Sequence, residues 1–142
     1  MSGKIKLGNR PKNIKAVVSF KSIEGEDCKI EVSYIYRTRK EFGRFIDEVV
    51  EQNQRRAEET DKQRVKEAEE AGRTLPAFSS ATYQESIAES NAHLIMGAVD
   101  GWNLDVEFNL DNVRQLADEF PAGAQAIIDG YRAAMTEGRL GN

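Results

Sequence analysis

Apolar and polar residues alternate with period two in two stretches near the amino end. Ile14, Ala16, Val18 and Phe20 alternate with Lys15, Val17, Ser19 and Lys21, and Cys28, Ile30, Val32, Tyr34 and Tyr36 alternate with Lys29, Glu31, Ser33 and Arg37. Period two is the signature of half-buried strands, and the short acidic loop between them, Glu24-Gly25-Glu26-Asp27, makes the pair a predicted β-hairpin. A hairpin alone is marginal and needs another strand or a helix over its apolar face. Trp102, Leu104, Val106 and Phe108, alternating with Asn103, Asp105 and Glu107, supply the candidate third strand over 102–108.

Elsewhere the period is helical. Thr38-Arg39-Lys40-Glu41 is a capping box, and it opens a helix whose buried stripe is Phe42, Phe45, Ile46 and Val49. That stripe then stops. From Glu51 to Arg73 seven acidic and six basic residues leave only Ala57, Val65, Ala68 and Ala71 as apolar surface, so residues 51–77 read as a protruding solvated helix or a mobile segment without a core face. Thr82-Tyr83-Gln84-Glu85 has the form of a second capping box, with a helix expected through Ile87, Leu94, Ile95 and Ala98 to a glycine stop at Gly101. Asn109 is placed to cap a helix carrying Leu110, Val113, Leu116, Ala117 and Phe120. Pro121 ends it and starts another, striped by Ala124, Ile127, Ile128, Tyr131 and Met135. The order predicts an α+β fold: an N-terminal hairpin with a third strand, packed against four or more helices, in one domain spanning 1–142.

Charge adds a polarity to this plan. The net charge of the 142 residues is −4, yet residues 1–23 carry six basic and no acidic side chains, leaving fourteen basic against twenty-four acidic, a balance of −10, in the rest. Residues 1–13 therefore form a basic arm. It reads first as a solvated arm with strand-edge lysines that discourage aggregation, second as a contact for an acidic partner or a neighbouring copy. Nucleic acid ranks last, because the basic residues are sparse and lack interleaved aromatics. No apolar run reaches the roughly 18 residues of a membrane span, and no secretory leader precedes the first strand, so an intracellular protein is expected.

Chemistry is scarce. His93 is the only histidine and Cys28 the only cysteine, which provides neither a disulfide nor the usual ligand set of a zinc site, and leaves no nucleophile–base pair of the serine or cysteine kind. Glu58-Glu59 and Glu69-Glu70 sit in a charged face, no glycine-rich loop leads into a lysine-serine or lysine-threonine pair, and the alternation around Trp102 accounts for that residue as core. No enzyme, cofactor or metal is expected.

The ordered set Trp102-Asn103-Leu104-Asp105, Phe108-Asn109, Asn112-Val113, Leu116, Phe120-Pro121, Ile127, Tyr131, Ala134 and Glu137-Gly138-Arg139-Leu140-Gly141-Asn142 resembles the tail assembly chaperones of long-tailed bacteriophages. Gly130 within the last helix and the charged segment before residue 78 depart from the family pattern. The resemblance implies a protein of the bacterial host cytoplasm that binds and solubilises the tape measure protein until tail-tube subunits displace it, with the tail tube protein as a second contact and self-association along the client. Of the apolar faces, that of Tyr83, Ile87 and Leu94 is the least continuous and is the expected partner-binding surface. The alternative is a small non-enzymatic phage adaptor or a nucleic-acid-associated protein.

Overall fold

A computed structural model describes residues 3–76 and 79–140; the first two residues of the basic arm and the last residue of segment 51–77 lie outside the described residues. Strands β1 (Asn13–Lys21) and β2 (Asp27–Ile35) form the expected hairpin, in the register Asn13↔Ile35 to Lys21↔Asp27. Its turn is closed by Ser22 and Glu26: the Gly25 amide donates to the Ser22 carbonyl, and Gly25 takes a φ of 85° that favours glycine. β3 (Val99–Trp102) pairs antiparallel with β2, giving the order β1-β2-β3.

The third strand is therefore present but lies earlier than the alternation indicated. Asn103 ends the ladder: its backbone amide donates to the Glu31 carbonyl, while its side-chain Oδ1 accepts from the Glu31 amide at 2.9 Å. The chain then folds back. The Trp102 indole N–H donates to the Val106 carbonyl at 2.8 Å and the ring meets Phe108 edge-on, with centroids 5.1 Å apart. Residues 103–109 satisfy their alternation by clustering, not by strand pairing.

Helix α1 runs unbroken over Arg39–Glu70, capped by Thr38 and Glu41 in the reciprocal arrangement of the box. The charged stretch is thus helical to Glu70, and Ala68 within it is only 3% exposed, against the expectation of no buried face. α2 (Ser80–Ala98) begins two residues before the predicted box; its N-cap is Ser79, three residues before Thr82, accepting from the Thr82 amide, so Thr82 lies inside the helix. It ends at Ala98, and Gly101 belongs to β3 instead of stopping a helix. α3 (Leu110–Glu119) is capped by Asn109, whose Oδ1 accepts from the Asn112 amide, and α4 (Pro121–Glu137) starts at the corner formed by Phe120 and Pro121.

The helices cover one face of the sheet. Ala16, Val18, Ile30, Val32 and Tyr34 from that face join Phe42, Phe45 and Val49 of α1, Ala92, Ile95 and Ala98 of α2, and Val113, Leu116, Ile127 and Tyr131 of α3 and α4 in one core cluster. Two glycines allow close approach: an added Cβ at Gly97 would lie 2.5 Å from the Phe45 ring, and one at Gly130 would lie 2.5 Å from the Tyr34 hydroxyl. Gly130 is what lets α4 settle on β2. The Tyr34 hydroxyl donates to the Ile127 carbonyl and that of Tyr131 to the Ile35 carbonyl; burial pushes the pKa of both phenols up.

Candidate functional site

The long charged part of α1 gains its position from the helix hairpin it forms with α2. α1 meets α2 tightly where Phe45 rests on Gly97, and the half-buried Arg37 guanidinium locks that junction by lying 3.9 Å over the Phe45 ring and donating to the Gly97 carbonyl at 2.7 Å. Farther along, a groove of about 760 Å³ opens among α1, α2 and α3. Asn53, Arg56, Thr60 and Arg64 form one wall, Thr82, Glu85, Ser86 and Glu89 the second, and Arg114 and Asp118 of α3 the third. Both signs of charge face into it.

One ion-pair cluster holds two of these walls together. Arg114 donates from Nε and Nη2 to the Glu89 carboxylate at 2.7–3.1 Å, and His93 Nε2 lies 2.9 Å from Glu89 Oε1. Arg114 chiefly, with His93 after it, holds the Glu89 carboxyl below the usual range. Arg114 also reaches Asp111 at 3.2 Å. This cross-helix network was not legible in the sequence; only the Glu89–His93 spacing of four residues hinted at it.

Tyr83 and Ile87 lie outside the lining of the groove, each following a lining residue of the same helix, Thr82 and Ser86, and so turned away from it by about 100°. They are 53% and 40% exposed, so α2 presents two large apolar side chains to solvent a single turn apart. Leu94 is different. It is half-buried and packs against the core cluster, which places it at the root of the stripe beneath the exposed pair.

The basic arm is anchored by Arg10, which pairs with Glu41 and lies over the Tyr36 ring. Ile5 and Leu7 beyond it are almost fully exposed. Cys28 is a free, half-buried thiol on β2. Among the described residues no group of three or more histidine, cysteine, aspartate or glutamate side chains is arranged to hold a metal ion. No helix among them is long and apolar enough to cross a membrane.

Comparison with known families decides what this scaffold is. The model of the family described as phage tail assembly chaperone matches residues 1–142, from one end of the chain to the other. The chain belongs to that family. The likeness therefore extends beyond the C-terminal residues that first suggested it, to the hairpin and to the charged helix that seemed foreign to the pattern. No curated protein and no solved structure matches the chain. Membership makes this a phage assembly protein of the chaperone type, whose partner is in general a phage tail protein.

Proposed function

We propose that this chaperone binds and shields helical segments of the tape measure protein in the host cytoplasm, without altering them chemically, and releases them as tail-tube subunits assemble. One observation supports the reading most directly: α2, which also lines the groove between α1, α2 and α3, holds Tyr83 and Ile87 exposed. A helix with side chains is about 10 Å across, so 760 Å³ corresponds to roughly two turns. The chemistry is complementary to an amphipathic client. Its apolar stripe covers Tyr83 and Ile87, while its polar flank meets Arg56, Arg64, Glu85 and Asp118. Such a contact removes the client's apolar surface from water, the surface that otherwise drives aggregation, yet remains reversible because half of it is solvated.

Coexpression with the tape measure protein tests this. The wild type is expected to raise the soluble yield of that client and to copurify with it. Ile87→Asp is expected to keep its circular dichroism, since Ile87 is exposed, and to lose copurification. If the variant unfolds, the stripe is core and the client binds elsewhere; if the folded wild type captures no client, the reading fails.

A further inference from the structure

The two edges of the sheet are unlike. β3 is four residues long and its pairing with β2 is broken by an irregularity at Ser33 and Tyr34, so that edge is short and blunted. β1 is nine residues long, paired to β2 without interruption, and contains no proline. Its hydrogen-bonding parity is fixed from both ends. The Tyr36 amide donates to the Lys12 carbonyl and the Ser22 amide to the Glu26 carbonyl, so the even-numbered residues bond to β2, because bonded and non-bonded pairs alternate along an antiparallel ladder. The odd-numbered residues Asn13, Lys15, Val17, Ser19 and Lys21 aim their amides and carbonyls at the open edge. Among the described residues no backbone bond reaches them.

We infer that β1 pairs antiparallel with β1 of a second copy about a two-fold axis at Val17, joining two three-stranded sheets into one of six strands. Parity restricts the bonded pairs to odd residues, and the axis at Val17 is the one arrangement that pairs all nine. It sets Val17 against Val17, Lys15 against Ser19 and Asn13 against Lys21 on the outer face, and Ala16 against Val18 and Ile14 against Phe20 on the core side. Like is matched with like. The 48%-exposed Val17 side chains cover each other at the centre, and no lysine directly faces another. Moving the axis to Lys15 sets two lysines opposite each other, and moving it to Val18 sets Lys15 against Lys21. Axes at Ala16 and Ser19 bring no lysines together but leave part of the nine-residue strand unpaired, so full pairing and the lysines together favour the axis at Val17. Lys21 is further neutralised by Asp27 at 2.6 Å, and the fully exposed Ile23 falls opposite Pro11 of the other copy. The inference is independent of the client proposed above, and no residue of β1 lines the groove.

Sedimentation of the full chain, without client, is the test. The wild type is expected to be a dimer, and Val17→Lys a folded monomer, since lysine is tolerated on the outer face but sets two like charges across the axis. A monomeric wild type, or a Val17→Lys protein that still dimerises, overturns the inference. Cross-linking in a Cys28→Ser background gives a reading that survives any loss of stability in the lysine variant. A bonded pair holds its Cα atoms about 5.5 Å apart, inside the roughly 4.4–6.8 Å window of a disulfide, so Val17→Cys should oxidise to a covalent dimer. Lys15→Cys should not, because its copies lie roughly 14 Å apart, four residues out of step. Failure of Val17→Cys to link, or equal linking by Lys15→Cys, would sink the two-fold at Val17.

Discussion

Gly130 illustrates how one absent methyl group sets the packing of a helix. Substitution by alanine gains about 1 kcal/mol of helix propensity, but the new Cβ would stand 2.5 Å from the Tyr34 hydroxyl oxygen and 3.2 Å from Val18. That hydroxyl cannot swing aside, being buried and bonded to the Ile127 carbonyl at 2.7 Å. Overpacking of this kind costs about 1–3 kcal/mol, so Gly130→Ala is expected to be net destabilising by about 1 kcal/mol in urea denaturation. Combining it with Tyr34→Phe should recover part of that loss, a favourable coupling that a double-mutant cycle measures. Glu89 gives a pH signature at the same scale. Its folded pKa is depressed by Arg114, so its contribution is fully present above the unfolded value of about 4.3 and is lost as pH falls through the folded value. Wild type should therefore exceed Glu89→Gln in stability at neutral pH, and the gap should shrink as pH falls below the unfolded value; a gap that is constant from neutral pH into acid would mean the carboxylate charge is not what joins α2 to α3.

At the scale of elements, the signals that survived were local ones. Thr38 with Glu41, Asn109, and the Phe120-Pro121 corner each act within a single turn, and each does in the fold what its residue type dictates. The start of α2 was misplaced because Thr82-Tyr83-Gln84-Glu85 has the form of a box while Ser79, three residues earlier, captures the Thr82 amide first. β3 was misplaced because strand pairing is a property of two segments: Asn103 competes for Glu31 and closes the ladder, which no alternation within 102–108 reveals. α1 combines both kinds of information. Its core contacts end with Phe42, Phe45 and Val49, and Ala68, though buried, is not part of the core cluster. Joining Val50 to Phe78 through a flexible linker should accordingly leave cooperative unfolding intact and abolish client copurification, because one wall of the groove is gone. A non-cooperative melt would place the distal half of α1 in the folding unit.

Across the whole molecule, fold class was legible because hydrophobic period, caps and turn residues agree with one another. The groove was legible only in fragments. Its lining comes from three helices, and the pairing of Arg114 with Glu89 across 25 positions of sequence leaves no periodic trace. The exposure of Tyr83 and Ile87 was legible since a weak stripe shows what a core does not need; Leu94 was grouped with them because spacing cannot tell the exposed end of a stripe from its buried root.

Trp102, finally, gives the protein a built-in optical gauge. It is the chain's sole tryptophan, held by Val106 and Phe108 at the end of the sheet, while the far-ultraviolet dichroism is dominated by four helices elsewhere. Emission and dichroism thus watch different regions of one molecule. If the two unfolding curves superimpose, sheet and helices melt as a single cooperative body; if the emission shifts first, the turn after Asn103 loosens while the helical scaffold still stands.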